Sequence, residues 1–391
     1  MKPVPEDAPE ALRALVGQPV TQIDTPAAVV DLDLMERNLA LMASWCRVHD
    51  LRWRPHAKMH KCAALARQQI AAGAVGVCVQ KVSEAAALAA QGVRDIFVTN
   101  EVVAPAKLAH VASLARILQG LGGRLAIAVD SAEGVAGLAG AMGRQENSID
   151  VFVEIDVGQG RCGVPPGPAA WELTRLVLAQ PALRFAGLQA YQGQAQHLRS
   201  ASERSAAITR AAQAVRIARA EIEDQGVPVE LVTGAGTGSF PLEVTTGLWG
   251  EIQPGSFLFM DADYARNEPL PGSPRFRQAL YIRSQVISRG PGHAVCDAGH
   301  KAHAIDSGLP DVLLTPGQSP LRYANGGDEH GVLRCVEPDG QLPAVGDTVW
   351  LIPGHCDPTV NLYDWLIGVR GGPNHGVVEK LLRVDTRGCM T

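Results

Sequence analysis

Val75-Gly-Val-Cys-Val79, Asp95-Ile-Phe-Val98, Arg124-Leu-Ala-Ile-Ala-Val129 and Asp150-Val-Phe-Val-Glu-Ile155 decide the fold. Each is an apolar run without polar alternation, so each predicts a strand buried on both faces, as in a parallel sheet covered by helices. Between them the spacing predicts helices over 83–91, 105–118 and 132–144. The rhythm extends outward. Upstream lie a strand at 27–32, a helix at 35–49, a strand at 51–54 and a helix at 60–72. Downstream lie a helix at 168–180, a strand at 184–189, a helix at 202–225 and strands at 230–233 and 251–253. About eight strand–helix units in 27–266 fit a (β/α)8 barrel better than an open sheet. From 267 to 391 the pattern is short strands and turns, at 279–288, 293–297, 321–324, 332–336, 347–352, 363–370 and 376–384. This predicts a β-rich second domain, joined by the Pro-rich arm 1–26.

With 391 residues, 46% of them hydrophobic, the chain can fill one large and one smaller core. A net charge of −5 argues against a general nucleic-acid partner. The start, Met1 to Glu10, lacks the apolar stretch of a signal peptide. No apolar run approaches the ~20 residues needed to span a membrane. A cytoplasmic protein without a membrane partner is expected. None of the eight Cys forms a C-x-x-C pair, so they read as free thiols in a reducing compartment.

In such a barrel the active site gathers at the C-terminal strand ends. The polar residues there are Lys58, Gln80, Asn100, Asp130, Asp156 with Arg161, Tyr191 with Gln192, and Gly234 to Ser239. This set suits an anionic aromatic cofactor. Gly234-Ala-Gly-Thr-Gly-Ser239 and the turn Pro254-Gly-Ser256 can cradle phosphate with backbone amides, or are ordinary strand–helix turns. Arg161, in a Gly-rich loop, can hold a phenolate or carboxylate through paired donors, or can brace its loop. If residues 355–357 are extended, His355 and Asp357 share one face and Cys356 points away. The pair is then two arms of a divalent-metal site, or a His–Asp hydrogen bond in a turn. Asp328-Glu-His-Gly331 is a further polar cluster, a substrate contact or a hairpin turn.

Together, Arg54-Pro-His-Ala-Lys-Met-His-Lys61, Gln80-Lys-Val-Ser-Glu-Ala85, Asp156-Val-Gly-Gln-Gly-Arg-Cys-Gly163, Gly187-Leu-Gln-Ala-Tyr191, Gly236-Thr-Gly-Ser239, Asp328-Glu-His-Gly331 and His355-Cys-Asp-Pro-Thr359 resemble the D-threonine aldolase family. That family is grouped with the metal-activated D-serine dehydratases and 3-hydroxy-D-aspartate aldolases, on the alanine-racemase-like fold of pyridoxal phosphate enzymes (fold type III). The resemblance runs from about residue 24 to the C-terminus. It implies that Lys58 anchors pyridoxal 5'-phosphate covalently and that Arg161 meets its phenolate. Gln80 and Tyr191 would lie around the ring. Gly236, Thr237, Gly238, Gly255, Ser256 and Tyr264 would hold the phosphate. His355 and Asp357 would bind the divalent metal, Mn²⁺ or Mg²⁺ in preference to Zn²⁺ or Ca²⁺. It also implies a homodimer acting on small 3-hydroxy-D-amino acids, releasing glycine and an aldehyde.

One departure stands out. The D-threonine aldolases carry a His after the barrel Tyr as base for the substrate hydroxyl, and here that position is Gln192. Tyr-Gln-Gly is more similar to the 3-hydroxyaspartate aldolases. His197 or His330 is a replacement base, and Gln192, Asp328 and His330 are substrate candidates. Arg266 and Lys301 are candidates for a distal carboxylate. No Arg between 220 and 240 offers itself to the pyridine nitrogen. The rival readings are a dehydratase that expels the same hydroxyl and a non-catalytic pyridoxal-phosphate-binding protein.

Overall fold

The computed structural model describes residues 5–143, 148–270 and 272–391. The expected helix end at 144 and the first four residues of the arm lie outside them. Eight parallel strands run in the spatial order 52–53, 251–252, 232–234, 183–190, 149–154, 124–129, 95–98, 77–79. The ends of this series meet. Cys78 N–H donates to Pro55 C=O (2.9 Å), and Ala57 N–H donates to Cys78 C=O (2.8 Å). The sheet is therefore a closed barrel, as the uninterrupted apolar strands predict. Its helices include Ala63–Ala71, Pro105–Gly120 and Ala201–Glu223.

Two apolar layers explain the strand sequences. Val77, Val79, Ile96, Val98, Ile127, Val151 and Val153 face the helices. Cys78, Phe97, Ala126, Ala128 and Phe152 fill the barrel interior, with the two Phe rings 4.7 Å apart. Below this plug, at the N-terminal strand ends, lies a charged network. Arg54 donates from Nε to Glu251 Oε1 (3.1 Å) and also pairs with Asp95, with its side chain 5% exposed and that of Glu251 1%. This network ties the seam strand to its neighbours.

The second sheet has nine strands. Its spine, Leu280–Gly290, pairs antiparallel with 27–31, 293–296 and 348–352. Strand Ala27–Asp31, expected to open the barrel domain, lies here instead, between the spine and 365–370. Ala28 and Val30 pack into one cluster and Val29 into another. A strand buried on both faces satisfies either sheet, so its sequence cannot choose. The arm adds to the same sheet, with Gly17 and Val20 donating to the backbone of 378 and 376. No described helix is long and apolar enough to cross a membrane.

Removing Arg54 takes from the buried Glu251 its buried cation, leaving it only the half-exposed Arg52, and takes from Asp95 its short ion pair. Arg54→Met is expected to lower unfolding free energy by about 3–5 kcal/mol, read from urea melts against the parent protein.

Candidate active site

The barrel mouth holds one polar cavity at the C-terminal strand ends. Lys58, Gln80, Arg161, Tyr191, Gly236, Thr237, Gly255, Ser256, Tyr264, His355 and Asp357 all line it. His56, Thr99, Gln189, His197 and Gln253 line it as well. Lys58 sits on a turn after the strand, and the helix expected from 60 begins only at Ala63. Ala63 N–H donates to Asp385 Oδ2 (2.7 Å), so a residue near the C-terminus stands in for the missing local cap. His56 is buried, and burial, followed by the charge of Lys58, holds its pKa well below the ordinary value. Its neutral ring approaches Thr99 Oγ1 (3.2 Å) and the Gln80 amide (3.1 Å) and walls the anchor turn. His60 bonds Gln69 (3.1 Å) in the core, outside the cavity.

The two Gly turns fit a phosphate. Phe257 N–H donates to Thr237 Oγ1 (3.1 Å), which holds the turns together. Among the described residues, the amides of Gly236, Thr237, Gly255 and Ser256 have no protein acceptor. A Cβ on Gly236 would stand 2.4 Å from Gln196 Oε1, and one on Gly238 would stand 3.1 Å from Tyr264 Cε1. Unspent donors in a cradle closed to side chains are what an anion requires.

Arg161 lies over Tyr191, its guanidinium carbon 5.6 Å from the ring centroid. Its Nη2 is 3.8 Å from Glu154 Oε1. Glu154 is buried, and burial together with neighbouring Glu101 raises its pKa. Burial also raises the pKa of Tyr191, which keeps the phenol protonated.

The His355–Asp357 pair comes from the second sheet's side. Only His355 is extended; residues 356–360 form a short helix, which corrects the extended reading. The pair still shares a face, with His355 Nε2 3.8 Å from Asp357 Oδ1, while Cys356 is fully buried. Asp306 Oδ2 binds His355 Nδ1 at 2.7 Å, leaving Nε2 for the cavity. Burial opposes the His355 charge, but Asp357 and Asp306 outweigh it and raise its pKa. Lys58 Nζ lies 3.7 Å from Asp357 Oδ2, so barrel and second sheet meet here.

Several expected residues fall elsewhere. Gln192 follows Tyr191 and points away; its Oε1 accepts from Gln194 N–H (3.1 Å). Asp328 binds His300 (2.9 Å) and Lys301 on an exposed turn, with His330 exposed nearby. Arg266 pairs with Asp311 (3.2 Å), and Lys301 is held by Asp328 and Glu329. Neither cation faces the cavity.

The family model of the alanine racemase N-terminal domain matches residues 30–263, and that of a serine dehydratase domain matches 279–369. The chain is 41% identical over 373 residues to a D-threonine aldolase of Arthrobacter sp., covering 95% of each. It is 42% identical over 381 residues to a 3-hydroxy-D-aspartate aldolase of Paracoccus denitrificans (strain Pd 1222), covering 96% of this chain and 95% of that one. It belongs to this aldolase family. The crystal structure of D-threonine aldolase from Filomicrobium marinum superposes with a TM-score of 0.91 at 45% identity, over 96% of this chain and 99% of that one. The alanine-racemase-like aldolases are carbon–carbon lyases of the pyridoxal phosphate class, and the cradle of free amides beside Lys58 fits that cofactor.

Gly236→Ala places a methyl group against Gln196. Loss of one phosphate contact, about 1.5–3 kcal/mol, is expected to weaken pyridoxal phosphate binding roughly tenfold to a hundredfold. Absorbance titration of the apoenzyme measures it.

Proposed function

We propose that this chain is a pyridoxal-phosphate- and divalent-metal-dependent aldolase that cleaves or forms 3-hydroxy-D-amino acids such as D-threonine or 3-hydroxyaspartate. The observation that carries this is the meeting of Lys58 with Asp357 and His355 at 3.7 and 3.8 Å steps across the cavity. In this reading the barrel holds the cofactor and the β-rich part brings the metal pair. Lys58 anchors the cofactor, Arg161 faces its phenolate, Gln80 and Tyr191 bound the ring, and the Gly236–Gly238 and Gly255–Ser256 turns with Tyr264 hold its phosphate. Pyridoxal phosphate, when bound, supplies the electron sink for the bond that breaks. His355 and Asp357 would hold a divalent cation, Mn²⁺ or Mg²⁺ by its hard donors, whose Lewis acidity acidifies the 3-hydroxyl.

The chain's own residues set orientation and proton transfer. Asp306 turns His355 so that Nε2 faces the cavity. With Gln192 turned away and His330 outside, His197 is the proton acceptor we assign to the hydroxyl. Its Nδ1 is bound by Asp263 Oδ2 at 2.7 Å, and Asp263 is buried and also paired with Arg199. That contact fixes the tautomer and leaves Nε2 to take the proton. The same reading expects a homodimer in the cytoplasm.

The deciding assay offers D-threonine and both D-3-hydroxyaspartate diastereomers to the holoenzyme with Mn²⁺, Mg²⁺ or chelator. Glycine plus aldehyde, lost with chelator and in Lys58→Ala, is the expected result. A 2-oxo acid plus ammonia would instead make the enzyme a dehydratase. Asp306→Asn is expected to weaken metal affinity about 10–100-fold while leaving cofactor binding intact, as titration with Mn²⁺ would show.

A further inference from the structure

We infer that the amide pair Gln189–Gln253 faces the pyridine nitrogen of the cofactor and keeps it unprotonated. This rests on the pyridoxal phosphate reading above. The geometry is a hydrogen-bond chain whose direction is fixed at one end. Glu251 is held by Arg54 Nε (3.1 Å) and Arg52 Nη2 (3.2 Å) and accepts only. Thr233 therefore donates its one hydroxyl proton to Glu251 Oε1 (2.9 Å). Its oxygen can then only accept, and it accepts from Gln253 Nε2 (2.8 Å). The second proton of that amide goes to Gln189 Oε1 (2.8 Å). Gln189 returns one N–H to Gln253 Oε1 (3.3 Å). Its other N–H has no acceptor among the described residues. Gln189 is 2% exposed and Gln253 4%, and both line the cavity. A buried amide with an unspent proton is costly unless something in that cavity accepts it.

The cofactor's own chemistry says what that acceptor is. The ring nitrogen lies opposite the carbon whose carbonyl joins Lys58, and the phosphate arm leaves from the carbon beside that one. Gln253 immediately precedes the Pro254-Gly255-Ser256 turn of the phosphate cradle. The nitrogen thus falls on the side of the amide pair, away from Lys58. A donor N–H requires a lone pair, which a pyridinium lacks. The cavity's one carboxylate, Asp357, stands at the other end beside Lys58. No anion faces the nitrogen to hold a proton on it.

An unprotonated ring is the weaker electron sink. Simple amino acids then lose their Cα proton slowly, while substrates whose 3-hydroxyl is polarised by the metal pair still cleave. The amide pair would therefore restrict the enzyme to carbon–carbon cleavage.

The test reconstitutes the holoenzyme with pyridoxal phosphate carrying ¹⁵N in the ring and reads its NMR shift. The parent enzyme is expected in the neutral-pyridine range. Gln189→Glu or Gln253→Glu, which supplies an anion, is expected to move it to the pyridinium range and to speed exchange of the D-alanine Cα proton in D₂O. Gln80→Glu, across the cavity, is expected to leave it neutral. A pyridinium shift in the parent overturns the inference. So does a neutral shift in both cofactor-loaded Gln189 and Gln253 variants. Failure of the parent to bind the labelled cofactor would instead sink the pyridoxal phosphate reading itself.

Discussion

Asp261 holds the two halves of the molecule in register. Its carboxylate accepts from Tyr264 N–H (2.9 Å) on the barrel side and from Cys356 N–H (3.1 Å) in the short helix that carries Asp357. Around it, Ala262 N–H donates to Pro353 C=O and Asp263 N–H to Gly354 C=O. The carboxyl is fully buried, and burial pushes its pKa up to about 6 even against those two donors. This junction suspends His355 and Asp357 over the barrel mouth. It also sets Tyr264 by the Gly236–Gly238 turn and Asp263 under His197. The Gly turns, the His355–Asp357 pair and His197 thus share one anchorage.

Beneath that junction the barrel divides by polarity. Phe97 and Phe152 pack together across its interior. The upper half is lined by amides and hydroxyls whose bonds run in one direction from the Arg54–Glu251 seam pair. A charge placed low in the barrel therefore reaches the cavity as the orientation of neutral dipoles, with no net charge at the cavity floor. Charge is concentrated at the rim, on Lys58, Arg161 and Asp357.

Much of the architecture was legible because unbroken apolar runs leave little choice. A run such as 124–129 is stable only with both faces covered, and four such runs set the rhythm of strand–helix units that close into a barrel. Lys58, Arg161, the Gly turns and the His–Asp pair were legible as chemistry at strand ends. Strand 27–31 was misplaced because its burial on both faces suits either sheet. The His355–Asp357 face was anticipated through the wrong geometry, since a helical first turn after an extended residue also brings the two side chains together. Asp306, Glu154 and the Gln189–Gln253 pair carried no local signal. Each matters through a partner distant in the chain or, for Glu154, across a folded loop.

By itself the sequence determined the period of each element, the donor types at the strand ends and the family. These follow from burial and residue chemistry, which act locally. The tertiary structure alone decided which of those donors face one another. It turned Gln192 out and His197 in, withdrew Arg266 and Lys301 into ion pairs, and gave the amide chain its direction. Those outcomes depend on contacts between strands and across the two sheets, and such contacts exist only once the barrel has closed and the 353–357 loop has docked on Asp261.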